Sequence, residues 1–166
     1  MVEQELSQEQ ENKQEYEPTR RNVYFFVEGK PQPKQRPRFY KRGKFAKAYT
    51  PSETVTYENL VRFCYKKQLG DIFFRGPIKV KIEIVVAIEK KHFGKRGLNK
   101  EGEEKYKNHI PPTKKPDLDN VAKSILDALN EVAWHDDCQI VQLTCIKHYS
   151  QSNRNTNYTK IYISDF

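Results

Sequence analysis

The sequence predicts an α/β (α+β) protein: a single mixed β-sheet of about four strands with two helices, in the order β-α-β-α-β-β. Three observations carry this. Residues 77–88 alternate, with Ile78, Val80, Ile82, Ile84, Val86 and Ile88 facing one side. Residues 118–132 instead follow a helical period. Leu118, Val121, Ala122, Ile125, Leu126, Ala128, Leu129 and Val132 fall on one arc there. Proline-rich and polar runs cut the rest into pieces of strand and helix length. A chain of 166 residues is long enough for one domain with a core.

Taken in order, residues 1–21 are Glu/Gln-rich and nearly free of apolar anchors, which predicts a disordered acidic tail preceding a domain at 22–166. Val23 to Glu28 (VYFFVE) reads as the first strand. Residues 29–47 hold eight Lys/Arg and no acid, interleaved with Pro31, Pro33 and Pro37. The prolines exclude a helix and predict an extended loop. Guanidinium groups bind phosphate bidentately and ammonium groups attract it as point charges, so Lys34, Arg36, Arg38, Lys41 and Arg42 are candidate contacts to the phosphates of a nucleic acid. The competing reading is a solvated basic loop. Thr50-Pro51-Ser52-Glu53 has the pattern of a capped helix start, and Gly70 that of its stop. Residues 89–116 carry nine Lys/Arg against four Glu, without periodicity. They predict a long, mobile basic loop that leads into Asp117, with Lys114 and Lys115 as further DNA contacts. Gln139 to Tyr149 and Tyr158 to Ser164 read as two closing strands, paired as a hairpin.

The net charge is +8, unevenly spread: residues 1–21 sum to −3, leaving +11 on the remainder. A basic body suits a polyanion. No apolar run is long enough to span a bilayer, and no signal-peptide core follows Met1. Cys64, Cys138 and Cys145 lack framework spacing and suit a reducing compartment as small buried residues. A zinc site from His135, Cys138, Cys145 and His148 is disfavoured. A single strand would hold its two cysteines roughly 23 Å apart, at about 3.3 Å per residue.

The most informative stretch is Lys115 to Ile140, which holds Asp117, Asp119, Asp127, Asp136 and Asp137. Asp119, Lys123 and Asp127 are successive i, i+4 neighbours on one helical stripe. Three readings of the residues stay open: ordinary caps and surface ion pairs, a Mg²⁺- or Mn²⁺-binding carboxylate cluster acting on phosphate esters, and a DNA-binding module without chemistry.

The run KPDLDNVAKSILDALN, followed by WHDDCQI, closely resembles the signature of the RusA family of Holliday junction resolvases. That signature is D-x-D-N-x-x-K-x-x-x-D-A-L, then an aspartate pair followed by Q-I/V. GKPQPKQRPRF and Tyr49-Thr50-Pro51 resemble segments of many phage and prophage members. The likeness covers about residues 23–164 and is absent from the tail and the 89–112 arm. It implies a homodimeric, Mg²⁺- or Mn²⁺-dependent endonuclease that cuts four-way junction DNA symmetrically in recombination and repair. It implies Asp117, Asp119 and Asp137 as metal-binding catalytic carboxylates and Lys123 as the essential basic residue. Asp127 and Asp136 become supporting residues. The expected location is the cytoplasm of a bacterial or phage-infected cell, with no membrane or small-molecule partner. The alternatives are a non-catalytic branched-DNA-binding protein and a metal nuclease acting on flaps or forks.

Overall fold

Ile82 and Ile84, at the middle of the most regular strand, are fully buried at the heart of a computed structural model that describes residues 20–42, 45–94, 97–107, 110–151 and 155–166. The chain runs through β1 (Asn22–Glu28), a hairpin of β2 (Arg38–Arg42) and β3 (Phe45–Tyr49), and α1 (Ser52–Leu69). It continues through β4 (Ile78–Val86), a 3-10 turn (Lys90–His92), a two-residue hairpin of β5 (Phe93–Gly94) and β6 (Gly97–Leu98), and α2 (Lys100–Lys107). Then come α3 (Leu118–Leu129), a second 3-10 turn (Asp137–Gln139), β7 (Ile140–Tyr149) and β8 (Tyr158–Asp165).

The main sheet is mixed and four-stranded, in the order β1-β8-β4-β7. β8 is antiparallel to both β1 and β4, while β7 runs parallel to β4. The fold class is therefore the expected one. The expected β7–β8 hairpin is not formed. A parallel pair needs a long crossover, which α3 supplies between β4 and β7, and β8 then takes the free side of β4.

Alternation decides which face is covered. Phe25, Val27, Val80, Ile82, Ile84, Ile161 and Ile163 point to one side and are buried under Tyr57, Val61 and Tyr65 of α1 and Val121, Ile125 and Leu129 of α3. Trp134, after α3, is fully buried and donates its indole N–H to Asn130 Oδ1 at 2.8 Å. The outer edge of β1 is closed by a side chain: Gln68 accepts from the Phe26 N–H at 3.0 Å and donates to the Phe26 carbonyl at 2.7 Å.

Several expectations need correction. The 29–47 segment is extended as expected, but it is a loop only in its proline-bearing part, and its remainder forms the β2–β3 hairpin. The 89–116 arm, read as an irregular loop, contains two short strands and a third helix, α2. Asn99 Oδ1 accepts from the Gly102 N–H at 2.9 Å as a cap. A Cβ at Gly102 would lie 2.8 Å from the His92 carbonyl oxygen, so only glycine allows that approach. α1 starts one residue later than expected, with Pro51 rather than Thr50 at its N-cap and no side-chain cap. Cys138 is exposed rather than buried. Residues 1–19 of the expected tail lie outside the described residues, but Arg21 belongs to the folded body. Its guanidinium pairs with Asp165 at 3.1 Å and lies over the Phe74 ring, 4.5 Å from its centroid.

Candidate active site

The buried stripe of α3 turns its opposite side to solvent, and Asp119 and Lys123 stand there one turn apart. Across from them the second 3-10 turn brings up Asp137. Asp119, Lys123 and Asp137 line one solvent-open depression of about 590 Å³, whose remaining wall is apolar: Leu118, Ala122, Leu126, Leu143 and Cys145. Residues 18 positions apart in the chain thus share a site because the β4–α3–β7 crossover returns the start of β7 beside the start of α3.

The paired aspartates have different tasks. Asp136 caps the 3-10 turn, accepting from the Cys138 N–H at 2.8 Å, with Gln139 completing a capping box. Hydrogen bonds from the Cys138 thiol and backbone hold its carboxyl below the usual carboxylate range. Gln139 also donates to the Gly76 carbonyl at 2.9 Å, tying the turn to the sheet. Asp136 thereby braces the loop and leaves Asp137 facing the depression.

Asp117 occupies the N-cap position of α3, yet its side chain makes no capping hydrogen bond. It links two concavities. Leu118, after it, lines the Asp119–Lys123–Asp137 depression. Pro116, before it, lines a smaller one of about 270 Å³ that also collects Lys30, Lys114 and Lys115. The structure therefore joins two basic segments that are far apart in sequence. Lys30 had not been singled out, although it lies in the same uncompensated basic run. Asp117 itself lines neither concavity.

Lys147 is a further residue that sequence reasoning passed over. It lies on the helix-facing side of β7, in register with buried Ile84, and donates to the carbonyls of Lys114 at 2.8 Å and Pro116 at 2.9 Å. It pins the loop that delivers Asp117. The signal was legible: a lysine where Val141, Leu143 and Cys145 set an apolar register.

The candidate DNA contacts divide. Arg36, Arg38 and Lys115 are exposed. The side chains of Lys41 and Arg42 lie outside the described residues. Lys114 pairs with Glu89 at 2.8 Å. Lys34 turns inward, pairing with Glu58 of α1 at 2.5 Å and Asp127 of α3 at 2.8 Å. Its backbone N–H donates to the Asn120 carbonyl at 2.8 Å. Burial alone would lower the Lys34 pKa, but the bonds to Asp127 and Glu58 outweigh it and raise it above the ordinary lysine value. Lys34 and Asp127 thus clamp the basic segment onto α3.

Among the described residues, no three His, Cys, Asp or Glu side chains form a ready-made metal cage. The donor set still suits a hard divalent cation. Mg²⁺ is commonly held by one or two carboxylates, with water and substrate phosphates completing its shell. Asp119 and Asp137 offer that number in an open depression, with an ammonium beside them. The chemistry available is binding and activation at an anionic, oxygen-rich group such as a phosphodiester.

A family model described as endodeoxyribonuclease RusA matches residues 28–157. The chain is 28% identical to the uncharacterized protein YqaN of Bacillus subtilis over 132 residues, covering 80% of this chain and 91% of that one. It is 25% identical to crossover junction endodeoxyribonuclease RusA of Escherichia coli K12 over 118 residues, 70% of this chain and 78% of the relative. The same identity and coverage hold for the protein of that name from enterobacteria phage 82.

Proposed function

This chain belongs to the RusA family of endodeoxyribonucleases, and from that premise we propose that it resolves four-way DNA junctions by paired, symmetric phosphodiester cleavage, acting as a homodimer with Mg²⁺ or Mn²⁺. The observation that carries the proposal is the shared depression of Asp119, Lys123 and Asp137, flanked through Asp117 by Lys30, Lys114 and Lys115.

Asp119 and Asp137 would hold the cation in the depression, and Asp117, at the N-cap just outside it, is proposed as a third ligand. When bound, such an ion stabilises charge on phosphate oxygens and eases deprotonation of water. Lys123 adds a positive charge against the scissile phosphate without needing a metal to place it. Lys30, Lys115 and the exposed Arg36 and Arg38 grip neighbouring phosphates, which gives affinity without base reading. Two copies related by a two-fold axis would present two such sites to two opposed strands, matching the symmetry of a junction.

The substrate is tested by incubating the protein with Mg²⁺ or Mn²⁺ and equal amounts of labelled four-way junction, flap, fork and single strand. The proposal expects paired nicks at symmetric positions in the junction, made faster than any cut in the others. Faster cutting of flaps or forks would replace junction resolution with a broader nuclease. Tight junction binding without cleavage in either metal would leave only a branched-DNA-binding protein.

A further inference from the structure

Among the described residues, the helices cover one face of the main sheet and leave part of the other open. On that face β1 and β8 place Tyr24 beside Tyr162 and Phe26 beside Lys160, while β4 adds Lys81 beside Tyr162. Tyr24 is 54% and Phe26 37% exposed, unusual for aromatic residues in the middle of a strand. Ring centroids lie 5.7 Å apart for Tyr24–Phe26, 5.9 Å for Tyr24–Tyr162 and 6.1 Å for Phe26–Tyr158. The Lys160 ammonium stands among the rings, 4.6 Å from the centroid of Tyr24, 5.3 Å from Phe26 and 4.5 Å from Tyr162. Lys81 stands 5.2 Å from that of Tyr162. A cavity of about 610 Å³ adjoins the patch, sharing Phe26 and Tyr158 and otherwise lined by Gly29, the polar Asn155, Thr156 and Asn157, and one carboxylate, Glu28.

From this juxtaposition we propose that the open face of β1 and β8 is a binding platform for single-stranded DNA, separate from the Asp119–Lys123–Asp137 site on the helix-covered side of the sheet. Unstacked bases expose flat apolar faces that stack on aromatic rings, while their phosphates seek ammonium groups. A four-stranded sheet with aromatic side chains on its open face is a recurrent way of holding such bases. The lysine–ring alternation is complementary to a strand that alternates base and phosphate. A second copy of this chain would instead have to bury Lys160 and Lys81 against a face of the same character. On this face Glu83 is engaged by Lys81 at 2.6 Å and the Tyr162 hydroxyl at 3.4 Å, while Lys160, opposite Glu83 in the register, is held among the rings by a hydrogen bond to the Tyr162 side chain. The platform does not depend on the nuclease reading.

The test is fluorescence anisotropy of a labelled oligothymidylate, with a duplex of equal length as control and a chelator present. The wild-type protein should bind the single strand. Tyr24→Ala and Lys160→Ala should each weaken that binding about tenfold, within the range for losing one stacked base, while Tyr24→Trp retains it. Duplex affinity and junction cleavage should be unchanged. Tyr24 is more than half exposed, so folding is not at stake, and a circular dichroism melt checks it. Unchanged oligothymidylate binding in both alanine variants would overturn the proposal. So would an equal loss of duplex binding, or variants that only shift self-association in sedimentation.

Discussion

Neighbouring residues of the same type do opposite work in this chain. Asp136 spends its carboxylate on the Cys138 N–H, whereas Asp137 lines the depression together with Lys123. Asp136→Asn is therefore expected to speed amide exchange at Cys138 and leave most cleavage intact. Asp137→Asn should lower cleavage by about a hundredfold or more, the order seen when one charge-stabilising group is removed. Equal loss of cleavage in both variants would contradict the division. Lys34 poses a second question at this scale. Lys34→Ala leaves Glu58 and Asp127 facing each other without a cation, and should cost roughly 1–2 kcal/mol, between an exposed and a fully buried pair. The Lys34 pKa is raised in the folded state, so its contribution is complete below the ordinary value of 10.5 and fades as pH rises through the higher folded value. Urea unfolding should accordingly show a constant gap between wild type and variant at neutral pH, narrowing only in strong alkali. The i, i+4 stripe of Asp119, Lys123 and Asp127 was legible in the sequence. The diversion of Asp127 to Lys34 was not, because its partner lies 93 positions away and only folding brings it near.

At the scale of elements, regular periodicity carried through to the structure and irregular stretches did not. The alternation of residues 78–86 became the central strand β4, and the apolar arc of residues 118–129 became the buried side of α3. The prolines exclude a helix from 29–47 and make a loop of it as far as Pro37, but nothing in the residues beyond announces the β2–β3 hairpin. α2 (KEGEEKYK) has no apolar stripe to announce it, and its signals were local: a capping Asn99 and Glu101 and Glu103 in the first turn. Strand pairing was the least legible feature, since β8 pairs with two strands that precede it by many residues. Lys147 connects these elements to chemistry. Lys147→Met keeps the stem but removes the donors to Lys114 and Pro116, so the loop bearing Asp117 should loosen. Stability should fall by roughly 1–3 kcal/mol, and cleavage by about tenfold or more as Asp117 loses its position. Full activity with the same loss of stability would show that the brace is structural only.

For the molecule as a whole, Arg21 ties the start of β1 to the end of β8 and to the ring of Phe74. Removing residues 1–19 should leave the thermal midpoint and cleavage unchanged, whereas Arg21→Ala should cost about 1 kcal/mol. The Asp165 carboxyl is held below its ordinary value of 3.8 by that arginine. This contribution is therefore present above pH 3.8 and disappears as pH falls through the lower folded value, so the gap between the two proteins should narrow there to what the Phe74 ring and the Phe73 carbonyl contribute. The uneven charge was readable from composition, and so was the prospect of a polyanionic partner. What composition could not show is that the basic and acidic features meet at one point, where Pro116, Asp117 and Leu118 join the lysine-lined concavity to the carboxylate-lined one. That junction is the basis for reading the chain as a nuclease. The most direct test is cleavage of a synthetic four-way junction in Mg²⁺ by Asp119→Asn, with binding measured in parallel. Junction binding should be kept while the paired nicks are lost; cleavage at the wild-type rate would contradict a role for Asp119 in the chemistry.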